Sequence, residues 1–253
     1  MTFELLGTGT SQGVPLIGCP CEVCTSPDPH DKRLRAAAWL TDGNTSLVID
    51  TGPDFRYQML RASVKKLDAV LFTHGHKDHT AGLDDVRAYN FIQDRPMDIY
   101  LTGETEQVIR REFAYVFENA SYPGIPQLQL RSFGNQPFRI GTLDIMPIRV
   151  WHHRLEVYGF RIGDLTYITD VNRIDPEELE KCRGTKVLVL SALRHEPHIS
   201  HFTLAEAIEV AREIGAERTY FTHISHQLGL HDGVNATLSE GMELAWDGLR
   251  ITV

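Results

Sequence analysis

The residues best suited to chemistry lie in one short run, Thr73-His74-Gly75-His76-Lys77-Asp78-His79, directly after the apolar Ala69-Val70-Leu71-Phe72. Neutral imidazole is the commonest metal ligand among side chains. His74 and His76 are two apart, and Asp78 and His79 follow at once, so the run can face two pairs of ligands toward two adjacent points. With only 12 histidines in 253 residues, this density points to metal binding rather than to a polar loop.

Further candidate ligands stand where other strands are expected to stop. Ile148-Arg149-Val150 runs toward His152 and His153, Ile168-Thr169 ends at Asp170, and Phe221-Thr222 ends at His223. Any one of them alone is an ordinary polar residue. Strand ends on a common edge of an α/β fold converge, and sites gather where they do. His152 and His153 compete for one place. Asp50, after Ser46-Leu47-Val48-Ile49, can form a turn or orient a metal-bound histidine.

A second cluster has different chemistry. Cys19, Cys21 and Cys24 are spaced C-x-C-x2-C, which can wrap one side of a tetrahedral zinc if a fourth ligand comes from elsewhere. Three bunched thiols in a cytosolic chain favour a metal site over a disulfide framework. Cys182 stands apart as a plain buried or half-buried thiol. The loop Gly7-Thr8-Gly9-Thr10-Ser11-Gln12-Gly13-Val14-Pro15 permits close backbone approach to a ligand. Its glycine spacing fits neither the dinucleotide fingerprint nor the P-loop, so Ser11 and Gln12 are weak substrate-binding candidates.

The elements that must position these groups follow from hydrophobic periodicity. Strands are expected at Phe3–Leu6, Ala37–Leu40, Ser46–Ile49, Asp98–Thr102, Leu143–Val150, Tyr158–Ile162, Leu165–Thr169, Lys186–Leu190 and Arg218–Thr222. Helices are expected at Phe55–Ala62, from Ala81 to about Phe91, at Glu104–Glu118, at Pro176–Lys181 and at Leu204–Ile214, the last capped by Thr203. Residues 119–137, rich in Pro and Gly, read as loop. No repeat or linker divides the chain, so residues 1–253 are expected to form a single α/β domain.

Composition is that of a globular protein, and no apolar run approaches membrane-spanning length. The opening Met1-Thr2-Phe3-Glu4-Leu5-Leu6 has no basic start or long apolar core, so a cytoplasmic location is expected. The formal net charge of −9 argues against a broad phosphate-neutralising surface and hence against long nucleic acid. It leaves room for a small anionic substrate, because bound ions dominate the charge of a pocket. A homodimer is compatible with this composition.

The run His74-x-His76-x-Asp78-His79, with the later His, Asp and His in chain order, resembles the metal motifs of the metallo-β-lactamase superfamily over essentially the whole chain. The resemblance implies a four-layer αβ/βα sandwich with a dinuclear site. By the family pattern His74, His76 and His152 hold one divalent ion, Asp78, His79 and His223 hold a second, and Asp170 bridges. The spacing of His152 to Gly159 matches the family better than that of His153. Manganese and zinc both suit such ligands.

Within the superfamily, the opening loop, the three cysteines and Thr222-His223-Ile224-Ser225-His226-Gln227 resemble the PhnP-type phosphodiesterases. That resemblance implies a separate structural zinc on Cys19, Cys21, Cys24 and His226. His201-Phe202-Thr203 resembles the His-x-Thr element of the tRNase Z-like branch, whose histidine assists catalysis. The implied activity is hydrolysis of a small phosphodiester, cyclic ribose or nucleotide esters included, by a metal-activated hydroxide. Asp78 would orient the water or take its proton, and His201 would protonate the leaving oxygen or grip the phosphate. Three other classes compete. A tRNA 3′-processing nuclease needs a basic docking arm, which residues 81–150 lack. A thioester or lactam hydrolase on the same core is disfavoured by His201-Phe202-Thr203 and the thiols. A metal-bearing binding protein would be expected to have a degenerate ligand set.

Overall fold

The computed structural model describes residues 1–118 and 124–253. Among the described residues fifteen strands form two sheets. The first holds β1 (Thr2–Gly7), β2 (Ala37–Thr41), β3 (Ser46–Ile49), β4 (Ala69–Leu71), β5 (Met97–Leu101) and β6 (Leu128–Ser132). The second holds β7 (Phe138–Ile140), β8 (Leu143–His152), β9 (Leu155–Ile162), β10 (Leu165–Ile168), β11 (Arg173–Ile174), β12 (Val187–Ser191), β13 (Arg218–Thr222) and β14 (Met242–Leu244). The last strand, β15 (Arg250–Thr252), returns to pair with β1. The orders are β15-β1-β2-β3-β4-β5-β6 and β11-β8-β9-β10-β12-β13-β14, with β7 on β8.

Side-chain alternation explains the layers. In β3, Leu47 and Ile49 enter the core between the sheets, while Val48 faces the helices Phe55–Ala62, Arg87–Gln93 and Gly103–Glu112. In β12, Val187 and Val189 point inward, while Leu188 and Leu190 meet the helix Leu204–Ile214. Both strands are buried on two faces, which is why their sequences are continuously apolar. The Leu204–Ile214 helix buries Leu204, Ala207, Ala211 and Ile214, starts at a Thr203–Glu206 capping box and stops at left-handed Gly215. The result is the expected helix–sheet–sheet–helix sandwich.

The strands that carry the candidate ligands run parallel. β3, β4, β5 and β6 are parallel neighbours in one sheet, and β10, β12, β13 and β14 in the other. Asp50 follows β3, His74 comes three residues after β4, Asp170 follows β10 by two, and His223 follows β13 directly. Their carboxyl ends therefore share one edge of the sandwich.

Several local expectations differ from the structure. The loop expected over 119–137 contains β6, which pairs in parallel with β5; the part at 119–123 lies outside the described residues. Leu128-Gln129-Leu130 alternates weakly, and the strand is an edge, so periodicity gave little signal. The helix expected at Glu104–Glu118 breaks at Phe113, whose φ of −117° and ψ of 38° interrupt it. The helix expected from Ala81 starts as a 3-10 turn over Leu83–Val86 before the α-helix Arg87–Gln93. β14 and β15 are three residues each, too short for a periodic signal.

Phe160 is fully buried between the sheets, edge-on to Phe133 at 5.8 Å between ring centroids. Phe160→Ala leaves a cavity there and is expected to cost about 3–5 kcal/mol, read as a lower denaturant midpoint at unchanged m-value.

Candidate active site

One carboxylate organises the cluster. Asp50 is fully buried. Its Oδ1 accepts the Thr73 backbone N–H at 2.9 Å, and its Oδ2 accepts the Thr73 hydroxyl at 2.8 Å. The same Oδ2 lies 2.7 Å from His79 Nδ1, which donates to it. The turn and ring-orienting roles open for Asp50 in the sequence are both filled, since the residue leaves β3 at φ 65°.

These bonds fix which nitrogen each histidine presents. His79 gives Nδ1–H to Asp50, so its Nε2 is the nitrogen that faces Asp78 Oδ2 at 3.3 Å and Asp170 Oδ2 at 3.2 Å. The Thr73 hydroxyl has given its one proton to Asp50, so at 3.0 Å it accepts from His74 Nδ1, and His74 Nε2 carries the lone pair. His152 Nδ1 donates to the Ser200 carbonyl at 2.7 Å, freeing Nε2. In each case the nitrogen not used by the protein is the one a cation would take.

Four ligand atoms, from Asp78, His79, Asp170 and His223, lie within 4.8 Å of one another. His223 Nε2 is 3.2 Å from Asp170 Oδ1. Beside them the rings of His74, His76 and His152 cluster, with centroids 4.5, 5.3 and 5.9 Å apart. Nε2 of His74, His79 and His223 are buried with no hydrogen-bond partner. A buried polar atom without a partner costs free energy, and ions at these points would satisfy all three. The seven residues fit a two-ion centre.

Electrostatics agree. Burial alone would push the His79 imidazole down, but Asp170, Asp78 and Asp50 raise it well above the ordinary histidine range. Burial would push Asp170 up, but His223 and His79 hold it well below the carboxylate range. Asp78 behaves likewise against burial, through His79. The cluster thus calls for positive charge beside His79 Nε2. Burial lowers His74, leaving it neutral and able to coordinate.

His201 is buried between the rings of His152 and His223, at 4.5 and 4.7 Å between centroids. Burial, then His223, lowers its pKa, so the ring is neutral near pH 7. His153 is exposed, in the turn between β8 and β9 at φ 59°, and its backbone N–H goes to Asn172 Oδ1 at 2.7 Å. The structure brings His152 to the cluster and leaves His153 outside it. Ser11 and Gln12 are exposed. The Ser11 carbonyl accepts Arg35 Nε at 3.2 Å, and among the described residues neither Ser11 nor Gln12 bonds a candidate ligand.

The thiol cluster also assembles. Cys19, Cys21, Cys24 and His226 place one ligand atom each within 4.8 Å of the others, as a tetrahedral zinc requires. His226 Nδ1 is 3.2 Å from Cys21 Sγ and 3.6 Å from Cys19 Sγ. The Leu16 and Cys24 backbone N–H groups point at Cys24 and Cys21 sulfurs, at 3.3 and 3.5 Å. His226 lowers the Cys21 thiol to about 6, while burial raises Cys24 to about 11.

Sequence reasoning missed three things. Thr73 links Asp50 to His74, and its hydroxyl beside His74 was the available signal. The Ser200 carbonyl fixes His152, and a backbone group has no sequence signature. A cavity of about 310 Å³ runs along His74 and His76 and is walled by Lys77, Thr105, Arg111, Glu112 and Glu156. Most of those come from an ordinary amphipathic helix.

The family model of the Beta-lactamase superfamily domain matches residues 45–224. A protein of Porphyromonas gingivalis (strain ATCC BAA-308 / W83) named Octanoyltransferase is 38% identical over 256 residues, covering 100% of this chain but 52% of that protein. The chain thus spans about half the length of that relative. The crystal structure of a diphosphatase from the PhnP family superposes with a TM-score of 0.93 at 41% identity, covering 100% of this chain and 97% of that one. Zinc-bound PqqB from Methylobacterium extorquens superposes with a TM-score of 0.78 at 20% identity, covering 100% of both, a likeness of fold.

Asp50→Ala removes three hydrogen bonds from Thr73 and His79 and is expected to weaken metal retention about 10–100-fold, measured by chelator competition. In metal-free protein at pH 7, above the Cys21 value and far below that of Cys24, iodoacetamide should modify Cys21 first and spare Cys24. Peptide mass spectrometry reads the order, and added zinc should protect both.

Proposed function

This chain belongs to the metallo-β-lactamase superfamily, and from that premise we propose that it is a metal-dependent hydrolase of small phosphate esters, phosphodiesters or diphosphate esters among them. The observation that carries the reading is the pair of adjoining donor sets, His74–His76–His152 and Asp78–His79–His223 joined at Asp170, with imidazole nitrogens turned toward the space between them. Manganese or zinc suits both sets. Divalent ions there would supply an activated water at neutral pH and would neutralise phosphoryl charge.

The chain's own residues do the rest. Asp78, half-buried and held ionised, would orient the attacking water. His201 is neutral near pH 7, so it serves as an N–H donor to a phosphoryl or leaving oxygen rather than as a standing cation. Asp50 and the Ser200 carbonyl keep His79 and His152 in one tautomer. The ester's alcohol part would occupy the cavity beside His76, whose volume is at the small end for ligand sites. Two divalent ions against Asp78 and Asp170 leave a net positive centre on a chain of charge −9, which favours an anionic substrate. The 41%-identical diphosphatase supports phosphate chemistry. Cys19, Cys21, Cys24 and His226 would hold a further, structural zinc.

A second reading is hydrolysis of an acyl thioester, favoured by the likeness to half of the Porphyromonas gingivalis octanoyltransferase. Acyl transfer needs a nucleophile at the centre. Three cysteines sit in the thiol cluster, and Cys182 is buried in the other helix layer with its thiol raised to about 12.

Bis-p-nitrophenyl phosphate, a nucleoside diphosphate ester, octanoyl thioester and nitrocefin form the deciding panel. Turnover on the phosphates with manganese or zinc is expected, and turnover confined to the thioester would overturn the proposal. His201→Ala should lower kcat about 10²–10⁴-fold at unchanged metal content; unchanged kcat removes His201 from the mechanism.

A further inference from the structure

The segment from Arg194 to Ser200 has no regular structure, and His195 through Ile199 are exposed. No apolar burial fixes it. Yet it delivers two groups to the two-ion centre: the Ser200 carbonyl that orients His152, and His201 itself. Within the loop Ser200 N–H donates to His198 Nδ1 at 3.3 Å, and the ties that span it come from one guanidinium. Arg194 Nε donates to the Glu196 carbonyl at 3.2 Å, and Nη2 donates to the Pro197 carbonyl at 3.1 Å. Nη1 donates to Gln227 Oε1 at 2.7 Å.

Gln227 directly follows His226, the imidazole of the thiol cluster. The backbone repeats the link, since Ser225 N–H donates to the Leu193 carbonyl at 3.0 Å and Gln227 N–H to Ser225 Oγ at 3.2 Å. On the far side of the loop, Asn172 Nδ2 donates to the Ile199 carbonyl at 3.2 Å. All three guanidinium nitrogens of Arg194 have partners within the protein. A planar fork with this many fixed donors is a strut, which a flexible ammonium does not replace.

We propose that Arg194 is a positioning residue: through Gln227 it hangs the 194–200 loop on the Cys19–Cys21–Cys24–His226 cluster, so that an ion in that cluster fixes where His152 and His201 stand. The structural zinc then has a catalytic consequence at a distance. This consequence rests on the hydrolase reading above; the mechanical link does not.

The test measures hydrogen exchange of the 194–201 amides in full-length protein, with metal content and steady-state kinetics on bis-p-nitrophenyl phosphate. Arg194→Ala, Arg194→Lys and Gln227→Ala should each raise exchange in this segment about tenfold or more. They should lower kcat about tenfold or more, with KM within about twofold of wild type and metal content unchanged. Gln227→Glu keeps the acceptor and should restore wild-type exchange and kcat. The Arg194→Ala/Gln227→Ala double variant should be no worse than either single. Cys21→Ser, with its zinc lost, should raise exchange in the same segment. Unchanged exchange in Arg194→Ala overturns the strut, and unchanged exchange in Cys21→Ser overturns its anchorage in the thiol cluster. A KM raised by Arg194→Ala and restored by Arg194→Lys would instead mark a grip on the substrate's charge. Exchange needs no turnover, so a chain inactive on every phosphate still decides the mechanical link.

Discussion

The Asp50 carboxylate is the constraint on which the centre depends. It is fully buried, and an ionised carboxylate in that position persists only if its lone pairs are used. They are used by Thr73 twice and His79 once. These three bonds set the register of the loop after β4 against the end of β3. They also set the tautomers of His79 directly and of His74 through Thr73. A carboxylate that touches no ion thereby decides where ions can go. The packing reinforces it: a Cβ on Gly52 would strike the Asp78 carbonyl, and a Cβ on Gly75 would lie 2.9 Å from Val108. The motif is pinned against its own sheet from one side and against the helix Gly103–Glu112 from the other.

The charge distribution separates two scales. Over the whole chain acids outnumber bases, giving a net charge of −9. At the centre, Asp50, Asp78 and Asp170 surround His79 within hydrogen-bonding distances and raise its proton affinity. The centre is electron-rich by construction and accepts cations before it accepts anything else. Cations in place there would make it attractive to an anion.

The sandwich was legible in the sequence because its inner strands are buried on both faces and read as continuous apolar runs, as in Leu47–Ile49 and Val187–Leu190. The parallel strand ends were legible because a ligand-type side chain follows each. What could not be read arises from contacts with no side-chain pattern. The choice between His152 and His153 depends on a two-residue turn and on the Ser200 carbonyl. β6, β14 and β15 are short or weakly alternating strands, specified by their neighbours rather than by themselves. Arg194 and Gln227 are 33 residues apart and unremarkable singly. Ser11 and Gln12 followed from glycine flexibility alone, and the structure leaves them exposed.

Asp50, Asp170 and His223 share a backbone feature, positive φ at 65°, 49° and 57° just beyond their strands. Left-handed backbone is open to glycine, is visited by Asn, Asp and His, and is costly for β-branched or bulky residues. Each position therefore selects its occupant twice, once for donor chemistry and once for conformation. The alphabet open to drift is correspondingly narrow. Even a change that kept a donor atom at these three places would have to keep the bend, so Gly, Asn, Asp and His are admitted there while Val, Ile and Thr are shut out by the backbone before coordination is ever tested.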